Sequence, residues 1–188
     1  MTPRLTLLTG GVRSGKSARA LVLAHERSAG ECVLFVATAQ PFDDEMRTRI
    51  DVHRNERPLH WSTLEEPLDL AAALSAKLAS RDPRPALIVV DCLTLWTSNI
   101  LLTLPDDGDA EAIVAERTRA LLMTLGARAG TTPAIIVTNE VGLGIVPATS
   151  LGRRYRDALG RANQLVAAAA DEVILLVSGI DVPIKPRG

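Results

Sequence analysis

Gly10-Gly11-Val12-Arg13-Ser14-Gly15-Lys16-Ser17, entered directly from the apolar run Leu5-Thr6-Leu7-Leu8, has the spacing G-x-x-x-x-G-K-S, and that spacing decides the fold. It is a phosphate loop. The glycines let the backbone wrap an anion with its N–H groups, Lys16 supplies a point charge for the outer phosphates, and the Ser17 hydroxyl is suited to hold Mg2+. The helix-compatible stretch Ala18 to Ala29 that follows adds its positive end.

Working outward, short runs rich in Val, Ile and Leu recur between stretches of helical periodicity. Arg4–Leu8, Cys32–Ala37, Ala86–Val90, Ala134–Thr138 and Glu172–Val177 are expected to be strands. Their near-continuous apolarity suits strands covered on both faces, hence a mainly parallel sheet. Ser17–Ala29, Asp43–Glu56, Pro67–Ser80, Asp109–Ala129 and Thr149–Ala169 are predicted helices, which gives a three-layer α/β domain over residues 1–188. Arg81-Asp82-Pro83-Arg84-Pro85 is expected to be a rigid connector, and Leu104 to Asp109 a surface turn.

Composition narrows the partners. A chain of 188 residues, 47% hydrophobic, suffices for one well-buried domain and is short for two. A formal charge of −1 lacks the broad basic field of nucleic-acid binders, so no polynucleotide partner is expected. No apolar run approaches the roughly 20 residues of a membrane span, and the chain enters a strand without a leader pattern, so a cytoplasmic location is expected. Cys32 and Cys92 have no paired C-x-x-C spacing and are expected to be reduced, buried thiols.

In open parallel sheets ligands sit at the carboxyl ends of the strands, and here those ends are polar: Gly10–Ser17, Thr38-Ala39-Gln40, Asp91, and Asn139-Glu140. Asp91, closing Leu87-Ile88-Val89-Val90, suits the acidic group that steadies Mg2+ beside a phosphate loop, or else caps a helix from Leu93 onward. Asp91 is followed by Cys92-Leu93-Thr94 with no glycine at the third place, and no Asn-Lys-x-Asp base reader occurs, which argues against a signalling GTPase. Motor-type loops are not legible either. A small-molecule kinase fits better, with Arg13, Arg153, Arg154, Arg156 and Arg161 as sources of charge for a transferring phosphate or, for the last four, a solvated helix face. The Asp43–Arg57 stretch is less usual for a plain kinase. On a helix Arg49 and Arg57 flank His53 four residues away, and Arg54 adjoins it. Nearby cations disfavour the imidazolium, which leaves a neutral ring able to attack phosphorus, or simply an exposed helical histidine.

Taken in order, Thr9 to Ser17, Ala37-Thr38-Ala39, Asp43-Asp44-Glu45-Met46, Arg49-Ile50, His53-Arg54-x-x-Arg57-Pro58 and Thr138-Asn139-Glu140-Val141-Gly142-Leu143-Gly144-Ile145-Val146-Pro147 closely resemble the bifunctional adenosylcobinamide kinase / adenosylcobinamide-phosphate guanylyltransferase family. The likeness continues through Tyr155-Arg156-Asp157 and Gly160 to Gln164 to Ser178-Gly179-Ile180, nearly the whole chain. The resemblance implies a RecA-like P-loop NTPase fold and two reactions of cobalamin assembly. ATP or GTP phosphorylates adenosylcobinamide; GTP then gives GMP to adenosylcobinamide phosphate through a GMP-histidine intermediate. Pyrophosphate is released.

The family's histidine falls on His53, with Lys16 as the second catalytic residue; His25 and His60 lie outside the motif. The resemblance further implies nucleotide contacts from Gly10, Gly11, Val12, Arg13, Ser14, Gly15, Lys16, Ser17, Ala37, Thr38, Ala39, Arg54, Asn55, Glu56, Arg57, Glu65 and Asp91, with Mg2+ at Ser17 and Asp91. A carboxylate such as Glu65 accepts paired hydrogen bonds from a guanine edge, or caps the helix after Pro67, and Arg57 neutralises charge as pyrophosphate leaves. Relatives form trimers, so a homo-oligomer is implied. A single-activity kinase on the same scaffold is the alternative, and a non-catalytic or motor-type nucleotide module the third reading.

Overall fold

The computed structural model describes residues 4–41, 43–80, 82–127 and 132–186, with Glu45, Arg49, His53 and Ala127 described by backbone alone. Among these residues the order is β1 (Leu5–Gly10), α1 (Lys16–Ser28), β2 (Val33–Ala37), α2 (Asp44–Asn55), β3 (Ser62–Glu65), α3 (Leu70–Ala79), β4 (Leu87–Asp91), α4 (Leu93–Leu102), α5 (Ala110–Ala127), β5 (Ala134–Val137), α6 (Ser150–Ala169), β6 (Glu172–Val177) and β7 (Ile180–Lys185). The strands form one sheet in the order β3-β2-β4-β5-β1-β6-β7, parallel except for β7, which returns antiparallel on β6.

The period-two alternation of each strand sends neighbours to opposite layers. Leu7, Leu34, Val36, Ile88, Val90 and Ile136 face a core built with Leu70 and Leu74 of α3, Trp96 and Ile100 of α4, Val114 and Leu121 of α5, and Leu159 and Val166 of α6. Leu8, Val33, Phe35, Leu87, Val89, Ile135 and Val137 face Ala20, Leu23 and Ala24 of α1, with Trp61. The described side chains of α2 join neither cluster, and none of them is buried.

Three elements go beyond the sequence expectation. Helix α4 is raised in the sequence only as what Asp91 would cap, because most of Leu93–Leu102 is buried, Thr94, Thr97 and Asn99 included, and polar and apolar residues do not segregate into an amphipathic stripe. Strand β3 has four residues, too few for a periodic signal, and β7 carries Pro183 in an edge position, where its missing N–H is tolerated. The other boundaries match or differ by at most three residues: β6 runs over Glu172–Val177 as expected, while β1 starts at Leu5 and runs on to Gly10, so the first glycine of the phosphate loop is still in the sheet. Arg81 of the expected connector and Ala129 of the expected helix lie outside the described residues. Both cysteines are free but half-buried instead of enclosed.

A nearly enclosed ion pair ties α1 to the sheet. Arg27 of α1 meets Glu172 of β6 at 2.7 Å and donates to Thr6 Oγ1 of β1 at 2.7 Å, while that hydroxyl donates to Glu172 at 3.0 Å. The Arg27 and Glu172 side chains are only 8% and 10% exposed, so water screens them little. Arg27→Met takes the guanidinium from a carboxylate that stays enclosed, and should cost about 3 kcal/mol, read from urea midpoints. A loss below about 1 kcal/mol would be a surface-pair value and would show that the triad does not anchor α1.

Candidate active site

The phosphate loop is positioned by two glycines for different reasons. Gly10 has φ +150°, and a Cβ there would lie 2.4 Å from the Leu176 carbonyl oxygen and 2.9 Å from Ser14 Oγ, so β6 packs too closely for any side chain. Gly15, at φ +96°, turns the chain into α1. No side chain caps α1, which leaves the N–H groups of its first turn aimed at whatever the loop encloses. The loop is braced from behind: Gly179 N donates to the Ser14 carbonyl at 2.9 Å, and Arg19 pairs with Asp181 at 2.7 Å.

Lys16 is buried, and its ammonium donates to the Gly11 carbonyl at 2.5 Å and to Ser14 Oγ at 3.3 Å. Burial pulls its pKa below the ordinary lysine value, opposed by Cys92 and by the carboxylate of Asp91. Asp91 ends β4, and the N-cap position before α4 is held by Cys92, so capping does not explain Asp91. Burial, followed by the Asp91 charge, pushes the Cys92 thiol up to about 12, so no thiolate is present near neutral pH to act as a nucleophile. Thr38 pins this corner: its hydroxyl accepts from Cys92 N at 2.9 Å and donates to Cys92 O at 2.8 Å, and its carbonyl accepts from Asn99 Nδ2 at 2.8 Å.

On the other wall, Glu65 at the end of β3 is ion-paired with Arg54 of α2. The helix-capping alternative for Glu65 belongs to its neighbours: Glu66 accepts from Leu68 N and Asp69 N at 2.8 Å each, and Asp69 caps α3. The Arg57 guanidinium lies 3.8 Å from the Phe35 ring centroid. Its Nε is enclosed with no hydrogen-bond partner, and burial, the largest influence on it, lowers its pKa. A desolvated cation with a spare donor suits an anionic ligand.

These groups surround a cleft of about 700 Å3. The loop residues Val12 to Ser17, with Ala37, Ala39, Arg54, Arg57, Glu65 and Asp91, line it. Gly10 and Gly11 shape the loop from outside the lining, Thr38 is fully buried behind it, and Asn55 and Glu56 are exposed away from it. His53 lies on α2 between Ile50 and Arg54, both of which line the cleft; only its backbone is described. His25 and His60 are exposed and elsewhere. The arginines of α6 do not line the cleft either: Arg153 donates to the carbonyls of Pro147 and Ala148 and Arg154 to those of Pro105 and Gly108, which braces loops, while Arg156 pairs with Asp157 and Arg161 donates to Gln164 along the helix. Sequence reading gave no site role to Phe35 and Thr94, which carry no motif, nor to Met46 and Ile50, which entered only as part of the family motifs.

Residues 6–184 match the family model described as cobinamide kinase / cobinamide phosphate guanyltransferase. The chain belongs to this family. Among its relatives, the bifunctional adenosylcobalamin biosynthesis protein CobP of Pseudomonas aeruginosa is 45% identical over 179 residues, covering 95% of this chain and 96% of its own. The bifunctional adenosylcobalamin biosynthesis protein CobU of Salmonella typhimurium is 44% identical over 187 residues, covering 96% and 99%, and that of Escherichia coli is 42% identical over 188 residues, with the same coverage. In solved structures the fold resembles the flagellar accessory protein FlaH of Methanocaldococcus jannaschii, with 12% identity, TM-score 0.56 and coverage of 98% of this chain and 79% of that one. It also resembles a second solved structure, an ATPase domain, with 13% identity, TM-score 0.54 and coverage of 92% and 68%. The cobinamide kinase / guanyltransferase chain thus has a RecA-like P-loop NTPase fold and is a nucleotide-using transferase of cobalamin biosynthesis. Among the described residues, no helix of this family member is long and apolar enough to cross a membrane.

Proposed function

We propose that this one cleft carries out both family reactions in turn, with His53 as the covalent carrier of GMP. In the first, the aminopropanol hydroxyl of adenosylcobinamide attacks the γ-phosphorus of ATP or GTP, the β–γ bridge bond breaks, and the nucleoside diphosphate leaves. In the second, a ring nitrogen of His53 attacks the α-phosphorus of GTP and pyrophosphate leaves. A phosphate oxygen of adenosylcobinamide phosphate then attacks the GMP phosphorus, the P–N bond breaks, and adenosylcobinamide-GDP is released with His53 restored.

The observation that carries this reading is the convergence of the phosphate loop, Asp91, Glu65 and the cationic side of α2 on one cleft. Loop N–H groups and Lys16 hold the outer phosphates, Arg57 offsets charge on departing pyrophosphate, and Glu65 accepts from the guanine edge once Arg54 yields it. Mg2+ would be held by Ser17 and Asp91, which border the cleft on the Lys16 side, together with the nucleotide's own oxygens; it would neutralise phosphate charge. Among the described residues no cluster of three acidic, His or Cys ligands offers a separate metal site, which fits an ion that arrives with its nucleotide.

The γ- and α-phosphorus atoms have to be presented to different nucleophiles, so either the nucleotide changes register or α2 moves. With no described side chain of α2 buried, a shift of the helix as a unit is the hypothesis favoured here. Nucleotide-bound crystals that always hold His53 far from the α-phosphorus, with no shift in solution, would sink it. A homotrimer belongs to the same proposal, supported by the exposed Ile180, Val182 and Ile184 face of β7.

The deciding experiment is incubation with Mg2+ and GTP labelled on the α-phosphate, followed by denaturing electrophoresis. Label that is acid-labile and alkali-stable on wild type, and absent from a folded His53→Ala variant, establishes a phosphoramidate at His53. A folded chain that binds GTP and takes no label would be a plain kinase.

A further inference from the structure

A cleft of about 700 Å3 accommodates one ligand of nucleotide size. The corrinoid acceptor is far larger, so its ring has to rest on the rim with only the hydroxyl-bearing arm reaching in. The rim on the α2 side is charged, with Arg47, Asp51 and Arg54. The rim beyond β5 is different. From Val141 to Gly152 there is no charged residue, and within that stretch Leu143, Ile145 and Val146 are 87%, 97% and 61% exposed.

This segment is tied at both ends. Asn139, just before it, lines the cleft, and Glu140 N donates to the carbonyl of Gly10 at 3.1 Å, which ties its start to the phosphate loop. Gly142 N donates to Glu140 Oε1 at 2.5 Å, Arg153 donates to Pro147 O and Ala148 O at 3.0 and 2.8 Å, and Thr149 caps α6. Val12 of the phosphate loop, 73% exposed, adds an apolar side chain to the cleft lining. A short stretch anchored at both ends, with three large aliphatic side chains held in water, marks a recognition surface.

We propose that Leu143, Ile145 and Val146 form the seat for the corrin ring of the acceptor, a placement that rests on the functional reading above. The ring is a broad disc edged by methyl groups and neutral amide arms. Its apolar area matches the aliphatic side chains, and the open backbone at Gly144, where a side chain would meet nothing within 4 Å, offers hydrogen-bonding groups to the amides. The anionic nucleotide has no use for an uncharged surface, which separates the two substrates by chemistry as well as by place.

The test is a Leu143→Ser, Ile145→Ser double variant, compared with Leu143→Ile, Ile145→Leu, using the whole protein and adenosylcobinamide phosphate. Equilibrium dialysis should show corrinoid Kd raised at least about ten-fold in the serine variant and restored in the aliphatic one. The KM for GTP should stay within about two-fold. An unchanged corrinoid Kd overturns the proposal. So does a serine variant that sediments as a smaller assembly than wild type, because the surface is then a contact between copies. Failure of the functional reading has another signature: wild type itself would neither bind nor turn over adenosylcobinamide phosphate.

Discussion

With alanine at position 53, the protein should phosphorylate adenosylcobinamide at close to the wild-type rate and transfer no measurable GMP. Kinase chemistry needs the γ-phosphorus held by the loop and an acceptor hydroxyl beside it, and Gly10 to Ser17 are untouched by this change on another element. Guanylyl transfer loses the atom to which GMP is bonded, and removal of a nucleophile costs on the order of 10^4 or more in kcat. Two assays on one preparation read the outcome: phosphate transfer to adenosylcobinamide, and formation of adenosylcobinamide-GDP from supplied adenosylcobinamide phosphate. Loss of both would make His53 a residue of the shared site; retention of both would place the covalent step elsewhere or remove it.

Lys16→Met should fail differently, lowering both reactions by about 10^2 to 10^3, since a preorganised cation facing transferring phosphate has that order of worth. The ligand-free variant should be no less stable than wild type. Burial lowers the Lys16 pKa from 10.5 in the folded chain, so the folded state binds its proton less tightly than the unfolded one. At neutral pH both states are charged and the buried charge costs stability. That cost fades as pH rises through the lowered folded value towards 10.5, where the unfolded state still holds its proton. Methionine carries no such cost at any pH. Any stability advantage of the variant in urea should therefore be largest near pH 7 and shrink towards 10.5; an advantage that grew with pH would reverse the sign of the argument.

The two variants divide the cleft along the line where sequence was most and least legible. The phosphate loop was readable because its chemistry is backbone chemistry: Gly10 and Gly15 are demanded by a 2.4 Å approach and a positive φ, and no other residue serves. The parallel strands were readable because both faces are covered, which forces continuous apolar runs. Helix α4 was hard to read for a related cause, since burial over most of its surface erases the stripe by which helices are recognised. Thr38 illustrates a subtler limit. It belongs to the strand-end motif, yet its hydroxyl is spent on the Cys92 backbone, and only the fold reveals that it positions the corner of the cleft without lining it. Glu65 and Glu66 are adjacent acids with opposite fates, one in the cleft with Arg54 and one bonded to the turn before α3, a distinction set by strand alternation and invisible in composition.

The hairpin of β6 and β7 gives the site an order of assembly. The Ser14 carbonyl takes its hydrogen bond from Gly179, and Arg19 finds Asp181, so the backing of a loop that starts at residue 10 is supplied some 165 residues later. Contacts so distant along the chain close late. On a ribosome, the nascent protein would display a complete phosphate-loop sequence through most of its synthesis and yet hold it without its final brace. Competence to grip nucleotide should arrive as one of the last events of folding, when almost all of the chain is already in place.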